Sequence, residues 1–197
     1  MSYNFYAFMD RMKYIKRWVL MHSYREENIM EHSQQVTMLA HALAIIKNKI
    51  YGGSVNVERV VLYSMYHECA EVLTGDLPTP VKYLNASINV AYKDIEEKAC
   101  DKLLTMLPEE IASELTPYVK PDTNSEEYKI AKAADRLAAF VKCLEEKKSG
   151  NTEFLKAEKS IEKDLLSRNM PEVNYFFEHF IKGYMLTLDE LNCGIED

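Results

Sequence analysis

Residues 28–46 read NIMEHSQQVTMLAHALAII, and this stretch sets the class of fold that the chain can adopt. Its apolar residues recur at intervals of three and four, which is the periodicity of one face of an α-helix. These positions are Val36, Leu39, Leu43 and Ile46. Asn28 precedes the pattern as an N-cap, and Glu31 follows three residues later as a capping-box partner. We therefore predict a long amphipathic helix that begins near residue 28.

The same periodicity covers almost all of the remaining chain, and strand-like alternation never runs beyond a few residues. The other predicted helices are residues 5–15, a segment that Asn56 caps and that continues through Val72, Ala91–Met106, Glu109–Leu115, Glu126–Lys147, Glu153–Ser167 and Val173 to about Met185. The longest predicted non-helical stretches are Gly75–Asn85 and Thr116–Asn124. A length of 197 residues suits one domain with a substantial core. The sequence therefore predicts an all-α fold with a single domain over residues 1–197.

Composition and charge exclude several classes of function. The hydrophobic share of 47% and the charged share of 28% are ordinary for a globular protein. A net charge of −7 gives no overall attraction to a nucleic acid polymer or an anionic membrane, although a local basic site could still bind a small phosphate. No apolar run is long enough for a membrane span, and we see no signal peptide. We expect a cytoplasmic protein with reduced thiols at Cys69, Cys100, Cys143 and Cys193.

Three helical segments carry ionisable side chains where the pattern predicts burial. His32 lies in the first turns of the helix that begins near residue 28. His67 and Glu68 are adjacent in the next helix, with Glu71 one turn beyond, and Asp135 lies among alanines in KIAKAADRLAAF. Imidazole and carboxylate ligands together suit a divalent transition metal, and helices of a bundle can bring them together. The sequence predicts a metal site in which Glu71 acts on metal-bound water.

Each of these residues also has a purely structural explanation. A lone helical histidine is usually hydrogen bonded or exposed, and His32 by itself would more often be structural than functional. Glu68 and Glu71 by themselves fit an exposed helix face. Asp135 is harder to explain, because aspartate is a poor helix former in an alanine-rich packing stripe. Their joint occurrence favours the metal site. We expect only structural or surface roles for His22, His41 and His179.

The metalloprotease motif HExxH is not present, because residue 71 is glutamate. Instead, the order His32, His67-Glu68 and Asp135 resembles the HD superfamily of metal-dependent phosphohydrolases, whose signature H…HD…D lies on an all-helical core. The chain resembles the bacterial YfbR-type 5′-deoxynucleotidases more closely still. The shared stretches are RW at 17–18, EHS at 31–33, AHALA at 40–44, GG-x-VN at 52–56, MYH at 65–67, EVLTGDLPTPVKY at 71–83, KCLEE at 142–146 and GN-x-EFL at 150–155. The resemblance implies a single-domain HD-type helical bundle.

The resemblance also implies a role for each matching position. One divalent metal, with cobalt or manganese accepted in vitro, is bound by His32, His67, Glu68 and Asp135. Glu71 is the catalytic carboxylate that handles the attacking water, and Arg17 orients the 5′-phosphate. Trp18 lies against the nucleotide, and Asp76 meets the sugar and disfavours a 2′-hydroxyl. The implied substrate-binding set also contains Leu77, Pro78 and Thr79 and the metal ligands His32, Glu68 and Asp135.

The implied reaction is hydrolysis of deoxyribonucleoside 5′-monophosphates to deoxynucleoside and phosphate, with little preference among bases, by a homodimer. From the net charge and the lack of a long apolar run, we expect neither a nucleic acid polymer nor a membrane as a partner. Three alternatives stay open: an HD hydrolase of another nucleotide phosphate, a nucleotide-binding protein with reduced or lost turnover, and a purely structural helical protein. The second alternative arises because Glu68 stands where the family has aspartate. Carboxylates of either length bind divalent metals, so we predict that Glu68 is a ligand. Its extra methylene predicts a lower rate or a changed metal preference.

Overall fold

The structure is a computed structural model that describes residues 2–192 with the exception of Tyr83. The predictions for Cys193 and Tyr83 therefore fall outside the described residues. The α-helices are α1 (Phe5–Met9), α2 (Ile29–Ile50), α3 (Val57–Tyr66), α4 (Glu71–Thr74), α5 (Thr79–Lys82), α6 (Ala86–Leu104), α7 (Glu109–Val119), α8 (Glu126–Lys148), α9 (Leu155–Ser167), α10 (Pro171–His179) and α11 (Leu188–Asn192). Short 3-10 helices cover Asp10–Tyr14 and Ile181–Met185.

The predicted all-α class is confirmed. Within the described ranges, β-type pairing is limited to one isolated antiparallel bridge between Lys16 and Asn28. No described helix is both long and apolar enough to cross a membrane. The histidines for which we expected no chemistry are all exposed, namely His22, His41 and His179.

Two helix starts follow the predicted capping residues. The side chain of Asn28 accepts hydrogen bonds from the backbone amides of Met30 and Glu31, both at 3.0 Å. Asn56 accepts from the amide of Arg59 at 2.9 Å. These bonds satisfy amides that have no partner within the helix. The first cap fixes the start of α2 and thereby places His32 in its first turn.

The main hydrophobic core lies among α2, α3, α8 and α9. On α8 the alanines 133, 134 and 138 are fully buried in this core, as are Leu43 of α2 and Leu137 of α8. Small side chains let helix axes approach closely, and the leucines fill the remaining space. This close packing brings residues on the facing sides of α2 and α8 near one another in the interior.

The predicted continuation of α3 through Val72 is wrong, because α3 ends at Tyr66. Residues 67–70 form a tight turn with hydrogen bonds from Cys69 N to Tyr66 O and from Glu71 N to Glu68 O, both at 3.0 Å. The ring nitrogen Nδ1 of His67 lies 2.6 Å from the carbonyl oxygen of Ser64. In a continued α-helix that carbonyl would accept from the amide of Glu68. The side chain of His67 therefore competes with helix propagation.

The turn 67–70 is anchored in a second hydrophobic cluster. Cys69 and Ala70 are buried there against Phe5 of α1 and against α6. The same cluster includes Cys100, and the described cysteines 69, 100 and 143 are all free, as predicted. Because Cys69 and Ala70 are held in this core, the backbone that carries the side chains of His67 and Glu68 is fixed in position.

Other helix boundaries also differ from the prediction. Helix α6 begins at Ala86 rather than Ala91, because the side chain of Asn85 caps it by accepting from the amide of Ile88 at 2.8 Å. The stretch 75–85 contains the short helix α5. Helix α7 includes Pro117 and continues to Val119. The final predicted helix is divided into α10 and the 3-10 helix Ile181–Met185.

Candidate functional site

Four side chains from α2, α8 and the turn after α3 converge on one point. The Nε2 atom of His32 lies 3.1 Å from Oδ1 of Asp135 and 3.8 Å from Oε1 of Glu68. The Nε2 atom of His67 lies 3.3 Å from the same Glu68 oxygen and 3.9 Å from the same Asp135 oxygen. One ligand atom from each residue lies within 4.8 Å of the other three. The structure therefore brings together all four predicted metal ligands.

The geometry of these atoms fits a divalent cation. A cation at about 2.0–2.2 Å from each nitrogen and oxygen would produce separations of this size between its ligands. Because a carbonyl oxygen can only accept, the contact with Ser64 places the proton of His67 on Nδ1. In the neutral imidazole the lone pair is then on Nε2, which is buried and has no hydrogen-bond partner among the described residues. This nitrogen is aimed at two carboxylates, and the contact of the other ring nitrogen with a backbone carbonyl is typical of a histidine that binds a metal.

The charge states of His32 and Asp135 also suit metal binding. Burial lowers the pKa of His32, and the nearby positive charge of Arg17 lowers it further, so the imidazole is held neutral. Burial acts to raise the pKa of Asp135, but the ammonium of Lys132 and the hydrogen bond from His32 outweigh it and hold this pKa well below its usual range. Without a cation, Nε2 of His32 donates to the ionised Oδ1 of Asp135, and a cation bound through Nε2 would require the proton of the neutral ring to lie on Nδ1.

Glu68 is the point at which the ligand cluster meets Arg17. The Nη1 atom of Arg17 lies 3.4 Å from Oε1 of Glu68. Burial acts to raise the pKa of Glu68, but the interactions with His67 and then with Arg17 lower it below its usual range. The extra methylene of glutamate thus does not remove residue 68 from the cluster. Its carboxylate reaches the metal ligands and the guanidinium together.

Glu71 is the first residue of α4 and is buried beside Glu68. Burial and the negative charge of Glu68 raise the pKa of Glu71 to about 10. Its Oε2 atom is buried without a hydrogen-bond partner among the described residues. The sequence prediction placed Glu71 on the same helical face as His67, and this detail is wrong because α3 ends before both residues. The tight turn nevertheless brings the carboxyl group to the ligand cluster.

Arg17 and Trp18 lie together beside the cluster. The Nε atom of Arg17 and the Nε1 atom of Trp18 both donate to Oε2 of Glu27, each at 3.0 Å. The indole ring packs against Phe154 with 5.2 Å between ring centroids. Trp18 has a φ of 58°, which lies in the left-handed region that bulky residues rarely adopt. Backbone strain of this kind persists only where surrounding contacts enforce it, and it is frequent at functional sites.

The loop after α4 carries the predicted sugar contacts. Gly75 has a φ of 73°, and its carbonyl oxygen accepts from the hydroxyl of Tyr92 at 3.1 Å. Burial raises the pKa of the next residue, Asp76, and the positive charge of Arg17 opposes this rise. Leu77 and Pro78 are half-buried, and Thr79 is exposed at the start of α5. Asp76 therefore lies within the electrostatic reach of Arg17. The contacts of this loop with a sugar stay predictions.

Two charged residues at the site were missed by the sequence analysis. The Nζ atom of Lys132 lies 2.7 Å from Oδ2 of Asp135. The second is Glu27, which holds Arg17 and Trp18. The spacing of three residues on one helix could have indicated Lys132, because residues i and i+3 are neighbours on a helix surface. Glu27 lies outside any helix, and the sequence contains no comparable signal for it.

The sequence of the chain matches one family model over almost its whole length. The model for YfbR-like 5′-deoxynucleotidases matches residues 4–184. The chain belongs to this YfbR-like family. A 5′-deoxynucleotidase of Vibrio vulnificus strain YJ016 is 50% identical to this YfbR-like chain over 190 residues, which is 96% of the chain and 98% of that protein. The family predicted from the motifs is therefore confirmed.

Solved structures show that the fold of this YfbR-like protein is that of HD phosphohydrolases. An HD-domain phosphohydrolase from Listeria innocua matches with a TM-score of 0.78 at 22% identity, over 96% of this chain and 92% of that one. The HD phosphohydrolase of cyanophage S-2L, bound to dA and one catalytic Zn²⁺ ion, matches with a TM-score of 0.64 at 21% identity, over 90% and 96%. The predicted HD-type helical fold is confirmed.

Proposed function

We propose that this YfbR-like protein is a metal-dependent 5′-deoxynucleotidase that hydrolyses deoxyribonucleoside 5′-monophosphates to deoxynucleoside and phosphate. The observation that carries the proposal is the convergence of the two imidazoles and two carboxylates within 4.8 Å. The name and the high identity of the Vibrio vulnificus relative support the substrate class. Intact Arg17-Trp18 and the loop from Asp76 favour a nucleoside monophosphate over a polyphosphate substrate.

His32, His67, Glu68 and Asp135 would hold one divalent cation. The imidazole nitrogens and the ionised carboxylates of Glu68 and Asp135 supply the donor types that such a cation prefers. When bound, the cation supplies Lewis-acid chemistry for hydrolysis of the phosphate ester. Cobalt and manganese are the first metals to test, because the family resemblance implies them in vitro.

Glu71 is the residue that we assign to proton transfer from the attacking water. A buried carboxyl group with a raised pKa is a stronger base than an exposed carboxylate once it is ionised. Its position directly after the turn 67–70 keeps it beside Glu68, and no other described residue makes a competing hydrogen bond to Oε2. A divalent cation held by the ligand cluster would offset the repulsion from Glu68 and favour the ionised form of Glu71.

Arg17 is the residue that we assign to the 5′-phosphate. Its planar guanidinium can bind two phosphate oxygens together, and its contact with Glu68 directs it toward the ligand cluster. Trp18 offers an aromatic surface for the nucleotide beside the guanidinium. His32, Glu68 and Asp135 also border the space in which the substrate would lie.

Asp76 and the residues Leu77, Pro78 and Thr79 are assigned to the sugar. A carboxylate that faces the 2′ position would be left badly paired or would clash if a 2′-hydroxyl were present. Pro78 limits the backbone freedom of this loop, and the Tyr92 hydroxyl donates to the carbonyl oxygen of Gly75, which precedes Asp76. We also propose, from the family resemblance, that the enzyme is a cytoplasmic homodimer. Light scattering on purified protein tests the dimer.

A phosphate-release screen tests the proposed function. Deoxyribo- and ribonucleoside 5′-monophosphates and deoxynucleoside triphosphates are incubated with the protein and Co²⁺, Mn²⁺, Zn²⁺ or Mg²⁺. We expect inorganic phosphate from the deoxy monophosphates and little from the ribo forms, with Glu71→Gln as the inactive control. Release of triphosphate would instead identify another HD hydrolase. Nucleotide binding without turnover under any metal would identify a binding protein that has lost its activity.

A further inference from the structure

Glu27 faces both halves of the site with its two carboxylate oxygens. Its Oε2 atom accepts from Nε of Arg17 and from Nε1 of Trp18, each at 3.0 Å. Its Oε1 atom lies 4.0 Å from Nδ1 of His32. The side chain of Glu27 is only 12% exposed. One carboxylate thus lies between the residues assigned to the phosphate and a residue assigned to the metal.

The backbone fixes Glu27 opposite Arg17. The amide of Arg17 donates to the carbonyl oxygen of Glu27 at 2.9 Å, next to the antiparallel bridge between Lys16 and Asn28. Asn28 then caps α2, whose first turn carries His32. The frame of the carboxylate is therefore set by the same residues that begin the helix of the metal ligand.

Among the described residues, the nitrogen of His32 that faces Glu27, Nδ1, has no hydrogen-bond partner. With Nε2 directed at Asp135 and Glu68, a neutral imidazole that binds a cation through Nε2 carries its proton on Nδ1. That atom is buried and makes no hydrogen bond among the described residues. A separation of 4.0 Å is too long for a hydrogen bond, so the interaction with Glu27 is electrostatic. A negative charge on this side of a ligating imidazole raises its basicity.

We propose that Glu27 is a positioning residue that holds the phosphate-binding pair Arg17-Trp18 in register with the metal ligand His32. Its negative charge orients the guanidinium and the indole and strengthens the imidazole as a ligand. The part of this inference that concerns the phosphate rests on the proposed function, whereas the part that concerns the metal does not. Glu27 touches neither the substrate nor the cation in this scheme and acts only through its three partners.

The neighbouring residue provides a matched control. Glu26 is also a glutamate that pairs with a cation, Lys16, at 2.7 Å, but its side chain is 73% exposed. We compare Glu27→Gln with Glu26→Gln, since each variant removes one charge with little change in shape. Glu27→Asp keeps the charge with a shorter side chain, and it serves as the second variant if Glu27→Gln does not fold. Far-UV circular dichroism checks the fold of all variants.

Two measurements, Trp18 fluorescence and metal binding, report on Glu27 without any turnover. Trp18 is the one tryptophan of the sequence, so its fluorescence reports directly on the acceptor of the indole N–H. We expect the emission of Glu27→Gln to shift from that of the wild type, and that of Glu26→Gln to superimpose on it. Equilibrium dialysis with Co²⁺ or Mn²⁺ should show a loss of affinity of roughly tenfold or more for Glu27→Gln, with a smaller loss for Glu27→Asp.

Steady-state kinetics at saturating metal add a test of the phosphate side. We expect KM for a deoxyribonucleoside 5′-monophosphate to rise about tenfold in Glu27→Gln, with a smaller change in kcat, because the guanidinium loses a charged partner. The inference is overturned if Glu27→Gln keeps wild-type metal affinity and an unchanged Trp18 emission, even if it melts at a lower temperature. If Glu27→Gln shows both the shifted Trp18 emission and the weaker metal binding, but the wild type releases no phosphate, the positioning role of Glu27 stands and the proposed function fails.

Discussion

The Nζ atom of Lys132 lies 2.7 Å from Oδ2 of Asp135, while the other oxygen of that carboxylate lies 3.1 Å from Nε2 of His32. The ammonium therefore holds one oxygen and leaves Oδ1 directed at the ligand cluster. Lys132 also offsets the burial of Asp135 and lowers its pKa, which keeps the ligand ionised. A residue outside the ligand set thus fixes both the orientation and the charge of a ligand.

Replacing Lys132 should weaken metal binding. In Lys132→Met the carboxylate of Asp135 loses its partner and can rotate, so we expect roughly a tenfold loss of affinity for Co²⁺ or Mn²⁺. Lys129→Met is the control, because Lys129 is exposed one turn earlier on the same helix. Equilibrium dialysis followed by metal analysis measures both variants. Equal affinities in the two variants would show that Lys132 has no influence on the site.

Glu68 should behave as a metal ligand despite its length. We expect Glu68→Ala to lose most bound metal and phosphate release, because one of the four convergent side chains is removed. Glu68→Asp should keep the metal, with a changed rate or metal preference that reflects the shorter side chain. Metal content per protein and the initial rate are measured on the same samples. Full metal content and rate in Glu68→Ala would refute the assignment of Glu68 as a ligand.

Addition of metal should raise the melting temperature. A ligand at a hundred times its Kd stabilises the folded state by about 2.7 kcal/mol, which for a protein of this size corresponds to roughly 5–10 °C. Differential scanning fluorimetry with Co²⁺ or Mn²⁺ measures the shift, and a chelator should reverse it. His32→Ala is the control that should show no shift. An unchanged melting temperature in the wild type at saturating metal would favour the purely structural alternative.

The buried carboxylate of Glu146 should make the stability depend on pH. Burial acts to raise its pKa, but hydrogen bonds from Lys142 at 2.6 Å, from the amides of Tyr24 and Arg25, and from Asn151 lower it to about 2. Its folded pKa lies below its unfolded value, so the stabilisation is present above about pH 4.5. It is lost as the pH falls from there toward 2.

Urea unfolding of Glu146→Gln and of the wild type between pH 2 and pH 7 tests this expectation. We expect the variant to be less stable by about 3 kcal/mol near neutrality, and the difference to shrink as the medium becomes more acidic. Glu145→Gln is the control, because burial raises the pKa of Glu145 and its ionised form is not favoured by folding. A difference for Glu146→Gln that stays constant over the whole pH range would contradict the assignment.

Local signals in the sequence are sufficient to predict the helical class and several of the helix starts. Asn28 and Asn56 were recognised as caps because asparagine satisfies the first free amides of a helix wherever it stands. Asn85 does the same for α6, although the sequence analysis predicts a start at Ala91. The end of α3 could not be predicted from periodicity, because it depends on the hydrogen bond between the His67 side chain and the Ser64 carbonyl.

The candidate site was predicted only as far as its residues were unusual for their positions. His32, His67, Glu68 and Asp135 are ionisable groups within apolar helical patterns, and the structure brings them together. Glu27 lies in a polar segment, where a glutamate is ordinary. Its importance depends on a hydrogen-bonded pairing with Arg17 that only the folded backbone creates.

The left-handed backbone conformation of Trp18 lowers the stability of the fold at a residue whose side chain is proposed to contact the nucleotide. Any side chain other than glycine at this position keeps a local conformational penalty of about 1 kcal/mol, while glycine would relieve it. Glycine would also abolish the indole that packs on Phe154 and donates to Glu27. A search for more stable variants that considers only backbone preference would therefore select the replacement that removes the proposed nucleotide contact.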